Sequence, residues 1–453
     1  MAILFFFNVI AIAFSANPVL KAEIFKKIDW VNFTFNSVDD YNTYLSSEEY
    51  KLCSPSGIKI NSKGDKFVSI PRWKGNTPAT LTKLVVDGDA VIFSHFPDIQ
   101  TNTPEISQAL QSVLGFEIDL NDNIWALDQG RINNTPILGS AKLNVYASNG
   151  TLIANYNLTD VIYPGTSFLN DLVLDLENGF VYITDSGIPI NSSYTIRPGI
   201  IVLNLNTNKT MRILDSHSSL MPDPSLWITV KGSRVNTNSP IETGVDGIAL
   251  SCDKRTLYYT PLSSRYFYSI DTYALRNNAS DLESYIINLG YRDSASGGIL
   301  SSKKGRLYMT ALEGNSVVYK TPISNKNNPY GYNTFTTIAM NSSYLVWPDS
   351  IGFDNEKGDL YIVANQLQNF MAGNMNFTNP LNGDANFYIW VVYTGDKSYL
   401  EGCSVLKGNS ESSGFPTWAA ILLTIILIMV TIMIVLALRK WWISRRKHAL
   451  GLL

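Results

Sequence analysis

The chain has 453 residues, 45% hydrophobic and 16% charged, which is enough apolar material for a sizeable core and too much for a disordered chain. Its 35 Lys and Arg stand against 38 Asp and Glu, and five of the cations lie in the C-terminal tail, leaving the rest mildly acidic. No basic stripe is left to track a phosphate backbone, so nucleic acid is excluded as a partner.

Residues 1–16, MAILFFFNVIAIAFSA, form an apolar run too short for a bilayer span and end in the small residues Ser15 and Ala16. That is the outline of a secretory signal peptide, cleaved near Ala16 or Ala22, and residues 1–22 are assigned to it although no Lys or Arg precedes the run. The alternative is a buried N-terminal strand.

From about residue 50 to about residue 400 short β-branched and aromatic runs alternate with Gly, Asn, Asp and Ser turns. One two-strand unit recurs, with copies starting at Ser56, Leu114, Asn170, Asp246, Ser296 and Asp349. The spacing leaves room for two more strands per copy, and four strands per repeat arranged radially make a β-propeller blade. A lone blade has two apolar faces, so blades stack around an axis to cover one another. The predicted fold is therefore all-β, a six-bladed β-propeller over residues 23–403, with a β-sandwich pair as the alternative. The long interval before Asp246 holds an extended loop, and ring closure pairs a strand near residues 25–35 with one near residues 387–393, since an open ring would expose its edges.

Asn-x-Ser/Thr sequons occur at Asn32, Asn133, Asn149, Asn157, Asn191, Asn208, Asn278, Asn341 and Asn376. After a linker, residues 404–417, comes the stretch from 418 to 438, which carries no charge and at about 1.5 Å per residue is long enough for a bilayer. Trp418 precedes it, and Arg439, Lys440, Trp441, Trp442, Arg445, Arg446 and Lys447 follow. Cations stay cytosolic and Trp prefers the interface, so one C-terminal transmembrane helix, with a basic cytosolic tail at 439–453, holds everything upstream outside the cytosol. The expectation is a type I membrane glycoprotein of the secretory pathway, at the cell surface or in an endomembrane, and all nine sequons lie on the side this topology requires.

Three cysteines, Cys53, Cys252 and Cys403, allow at most one internal pair in an oxidising compartment, and the spacing does not say which. With no CxxC and only His95, His217 and His448, a zinc site has no material.

Several stretches carry a resemblance: NDNIWALDQG; VYITDSG followed by PGIIVLNL; TGVDGIALS with LYYTPLSSRYFYSIDTYALR; and WPDSIGFD with LYIVANQLQNF. Over residues 29–393 the chain resembles the yellow / major royal jelly protein family. The resemblance implies a six-bladed propeller, usually secreted, with roles in pigmentation, nutrition and the binding of small aromatic amines, and for some members dopachrome conversion. The anchor departs from this pattern, as does Cys252, which stands where Pro is more usual.

In a propeller the first residue of each innermost strand lies nearest the axis, here Ser56, Leu114, Asn170, Asp246, Ser296 and Asp349. Asn170, Asp246 and Asp349 are hard oxygen donors, a candidate Ca²⁺ set, because converging carboxylates need a metal, a proton or hydrogen-bond donors. The ends of the second strands, Arg72, Trp73, Asp128, Asp185, Ser263, Glu313, Asn365 and Gln366, are candidates for lining the channel mouth. Aromatic and acidic groups together suit a cationic aromatic ligand. The competing reading is that Asp128 and Asp185 only start turns before Gly130 and Gly187. There is no GxSxG, HExxH or Gly-rich phosphate loop, and Asp128 with Asp185 is the one acid–base pair on offer. The expected function is binding of a small ligand or a protein partner; the alternatives are an isomerase- or hydrolase-like enzyme, with or without Ca²⁺, and a surface-coat glycoprotein.

Overall fold

The computed structural model describes residues 21–104, 108–321, 335–377, 384–404, 436 and 438–442. The signal peptide expected over 1–22 and the span expected over 418–438 lie almost wholly outside the described residues, and the linker lies outside them beyond Ser404. Among the described residues no helix is long and apolar enough to cross a membrane. The chain divides into two compact units, residues 1–403 and 404–453. In the second, residues 438–442 are helical.

The first unit holds six four-stranded antiparallel sheets. Five are built from consecutive segments, residues 57–95, 113–157, 169–213, 245–291 and 299–340. The sixth joins Pro348–Asp354, Asp359–Ala364 and Phe387–Tyr393 to the N-terminal strand Ala22–Ile28, which pairs with Phe387–Tyr393 from Ala22 opposite Val392 to Ile28 opposite Phe387. The fold is the predicted six-bladed propeller, closed by joining the two ends of the unit in one blade, so no blade edge is left facing a gap in the ring.

Burial between blades holds the ring. Phe67, Phe96, Phe116 and Tyr146 fill the seam between blades 1 and 2, and Leu127, Leu143, Leu172 and Ile183 that between blades 2 and 3. Ala249, Tyr258, Ile299 and Met309 pack between blades 4 and 5, and Ile58, Val68, Tyr361 and Ile389 where blade 6 meets blade 1. A fully buried Val, Leu, Ile, Phe or Met side chain contributes about 1.5–3 kcal/mol, and no blade keeps these contacts by itself.

A strap runs across the turn face of the disc after the last strand. Ser398 forms a bridge with Ser302 of blade 5, and its N–H donates to Asn355 Oδ1 of blade 6 at 2.8 Å. Lys254 Nζ of blade 4 donates to the Tyr399 carbonyl at 2.6 Å, and Leu174 N–H of blade 3 donates to the Tyr399 hydroxyl at 2.8 Å. Tyr399 is fully buried, so the strap ties four blades together. Cys252 and Cys403 form the one disulfide found, and Cys53 is a buried free thiol. The disulfide closes a loop across 151 residues, and Cys252→Ser should lower the unfolding free energy by about 2–4 kcal/mol in urea titrations, with a larger m-value because the uncrosslinked unfolded chain is more expanded. A loss below about 0.5 kcal/mol would show that the strap needs no covalent fastening.

None of the nine sequon asparagines is buried; Asn32 and Asn341 are half-exposed and the other seven exposed.

Candidate functional site

Four innermost strands start irregularly. A register shift interrupts pairing between Val113 and Phe116, Leu169 and Leu172, Val245 and Gly247, and Pro348 and Ser350. A bulge sets two residues against one and turns side chains off the regular alternation. Here it carries Leu114, Asn170 with Asp171, Asp246 and Asp349 to the wall of one cavity of about 670 Å³, within the usual size of a small-ligand site, roughly 300–1,000 Å³. The crowding near the axis explains a glycine: a Cβ on Gly298 would stand 2.6 Å from the Asp349 carbonyl oxygen.

The cavity has a polar floor and apolar walls. Asn170, Asp171, Asp246, Asp349, Ser56 and Lys59 supply polar groups; Trp73, Phe168, Ile188, Val235, Ile241, Trp347, Leu367 and Met371 supply apolar ones. Val235 and Ile241 come from the long segment between blades 3 and 4, which carries the extra hairpin Thr229–Val230 and Ser233–Arg234. Leu367 and Met371 belong to the short helix Leu367–Ala372, inserted between the second and third strands of blade 6.

Asn365 Nδ2 donates to Asp349 Oδ2 at 2.6 Å, and the Leu172 N–H donates to Asp171 Oδ1 at 2.8 Å. Lys59 Nζ pairs with Glu117 Oε2 at 3.2 Å. Among the described residues Asp171, Asp246 and Asp349 make no ion pair within 4 Å. Burial pushes the Asp349 carboxyl up to about 7, with Asn365 and Trp347 pulling the other way. Burial raises Asp171 to about 6 against the opposing pull of Lys59. Asp246 stands well above the ordinary carboxylate range, through burial first and then the negative neighbours Asp349 and Asp171. Desolvation comes first for all three carboxyls, and repulsion from neighbouring carboxyls adds to it.

The structure brings together five of the six axial residues expected from the repeat; Ser296 is buried behind the cavity wall, its Oγ donating to the Gly298 carbonyl at 3.0 Å. Asn170, Asp246 and Asp349 share the floor. Among the described residues no group of three or more His, Cys, Asp or Glu is placed to hold a metal ion, a grouping in which the expected Ca²⁺ set counts only Asp246 and Asp349.

The expected mouth residues divide. Trp73 and Arg72 reach the cavity, but Arg72 is wholly buried and donates to the carbonyls of Thr77, Asn102, Leu110 and Gln111. The others do not line it: Asp128, Asp185, Ser263 and Glu313 hold blade corners, and Asn365 supports the floor from behind. Asp128 accepts from the N–H groups of Gln111, Ser112 and Gly130 and pairs with Lys142 at 2.8 Å. Asp185 accepts from Phe168 and Gly187 N–H and pairs with Arg212 at 2.7 Å. Glu313 takes Ala295 N–H and pairs with Arg265, and Ser263 Oγ accepts from Thr243 N–H. Asn365 donates to Asp349, and Gln366 Nε2 to the Asn386 carbonyl. Asp128 and Asp185 sit in different corners, each with its own cation, and do not make an acid–base pair.

Reasoning from the repeat missed Asp171, Lys59 and the apolar walls. Asp171 was within reach, being the neighbour of a ring residue, but a regular strand would have turned it away from the axis.

A family model described as major royal jelly protein matches residues 111–391. Protein yellow of Drosophila subobscura is 22% identical over 438 residues, covering 91% of this chain and 72% of that protein. Protein yellow of Drosophila melanogaster is 23% identical over 414 residues, covering 86% and 72%. Among solved structures, a luciferin-regenerating enzyme matches with TM-score 0.45 at 12% identity over 77% of this chain and 95% of that one. The calcium-binding protein regucalcin of Agrobacterium tumefaciens matches with TM-score 0.44 at 11% identity over 76% and 93%.

Proposed function

The chain belongs to the major royal jelly protein family, and from that premise we propose that its propeller binds a cationic aromatic small molecule, an arylalkylamine, in the axial cavity and outside the cytosol. One observation carries the reading: three carboxylates without an ion-pair partner form the floor of a cavity whose walls are apolar and aromatic. An ammonium group supplies the missing countercharge, and a ring of the same ligand buries apolar area against Trp73, Phe168 and Met371. A charge-assisted hydrogen bond of this kind contributes about 1.5–3 kcal/mol, and the enclosed setting strengthens it relative to water.

Secretion and a C-terminal anchor belong to the same reading, supported by the apolar N-terminal run, the charge-free stretch from 418 to 438 and the accessible sequons. The binding test is calorimetric titration of the purified propeller with tyramine and with 4-ethylphenol, which keeps the phenol ring and lacks the ammonium. Tyramine should bind at least about tenfold more tightly, one charged contact apart. Equal affinity for the two, or none for tyramine, overturns the amine reading. A melting temperature that rises with Ca²⁺ and falls with chelator would instead assign the floor to a metal.

A further inference from the structure

Resting on that reading, we propose that the cavity takes up its amine in exchange for a proton held among Asp171, Asp246 and Asp349, so that it loads near neutral pH and unloads in acid. The exchange is non-covalent and balanced. An ammonium ion enters, a carboxylic acid on the floor becomes a carboxylate facing it, and the released proton goes to solvent.

The geometry supplies the reason. Every blade presses something against the floor, and the charges do not cancel. Blade 1 brings Lys59, paired with Glu117 of blade 2, and Arg72; blade 2 brings Arg131, blade 3 Asp171, blade 4 Asp246 and blade 6 Asp349; blade 5 brings only Gly297, Gly298 and Ile299. The strap adds Tyr399, whose hydroxyl burial holds neutral. Lys59 and Glu117 answer each other, and the guanidinium groups of Arg72 and Arg131 donate to backbone carbonyls and to Asn134 Oδ1, so among the described residues no cation pairs with the three carboxyls within 4 Å. Their hydrogen-bond donors are neutral: the amide of Asn365 for Asp349, the amide of Asn170 for Asp246, and the Leu172 N–H for Asp171. Three like charges so enclosed cannot all persist, and a proton is the smallest neutraliser on hand. The raised values of Asp349, about 7, and Asp171, about 6, with Asp246 also raised, agree with a floor that keeps acid protons in neutral solution. An arriving ammonium reverses the balance, because an opposite charge at contact favours the carboxylate.

The same groups set a dependence that needs no ligand. Their pKa is higher folded than unfolded, so between about pH 4 and 7 the folded chain binds more protons, and their contribution to stability grows as pH falls and is lost as pH rises through the folded values. The wild-type melting temperature should therefore rise on going from pH 7.5 to pH 5 relative to that of the isosteric double variant Asp246→Asn/Asp349→Asn.

The test titrates tyramine into the protein in two buffers of different ionisation heat at each pH, phosphate and ACES from pH 7.5 to 6.5 and MES and acetate at pH 5.5. The expected result is release of up to one proton per tyramine near pH 7, and an affinity that falls about tenfold per pH unit in the acid limb. Asp349→Asn should shrink the release and flatten that limb. Tyramine binding without proton release and with a flat profile overturns the exchange and leaves the amine site standing. No tyramine binding at any pH overturns the amine site and the exchange with it. A melting difference between wild type and double variant that does not change with pH also overturns the stored proton.

Discussion

Asp185→Ala should lower the unfolding free energy by about 3–5 kcal/mol, a larger loss than at any residue of the cavity floor. Asp185 is wholly buried and accepts from the Phe168 N–H at 2.7 Å, the Gly187 N–H at 3.0 Å and the Ser167 hydroxyl, besides its pair with Arg212. Truncation strands two backbone donors and leaves the Arg212 guanidinium, only 7% exposed, facing the space the carboxylate filled. Asp215 also binds Arg212, at 2.7 Å, and relieves part of that cost, which places the outcome toward the lower end of the range. Urea denaturation reads it as a fall in midpoint at constant slope. Tyramine affinity of the folded fraction should stay as in wild type, because Asp185 braces a corner and does not line the cavity. A loss under about 1 kcal/mol, or a selective loss of tyramine binding, would contradict that role.

Asp246→Asn should weaken tyramine binding by about 10- to 100-fold, the worth of one charge-assisted hydrogen bond, and raise the melting temperature at neutral pH. The two effects share a cause. Asp246 lies 7% exposed, with Asp349 and Asp171 as negative neighbours. In the empty cavity its ionisation is opposed by burial and by both neighbours, so an amide of the same shape relieves repulsion. With an ammonium present the carboxylate is the group that answers it, and the amide cannot. A variant both less stable and unaltered in affinity would place Asp246 in the scaffold; one with unchanged stability and affinity would remove it from the account.

Much of the architecture was legible because a repeated unit advertises itself. Five of the six starts from Ser56 to Asp349 lie in or next to an innermost strand, Ser296 standing three residues before Ile299–Ser301, and the closing partner of Phe387–Tyr393 is Ala22–Ile28, overlapping the stretch near residues 25–35 expected to supply it. The candidate site was half legible for a definite reason. Asp128 and Asp185 end strands and precede Gly130 and Gly187, and a buried acid in that setting takes the N–H groups of its own turn, as both do. Sequence alone does not separate such a brace from a ligand group, and repetition at successive corners favours the brace. Asp171 escaped because a bulge sends two adjacent residues toward the axis, a local irregularity that period-two reasoning does not contain. Ile188, Val235, Ile241 and Met371 escaped because they come from inter-strand segments with no periodicity to read.

Diffraction from crystals of the propeller soaked in 3-iodotyramine, recorded for the anomalous signal of iodine, tests the axial site most directly. The account predicts an iodine peak inside the cavity near Trp73 and Met371, with the ligand's ammonium within hydrogen-bond distance of Asp246 or Asp349. An iodine peak only on the outer surface of the disc, or a floor filled by a coordinated metal with the amine excluded, would contradict it.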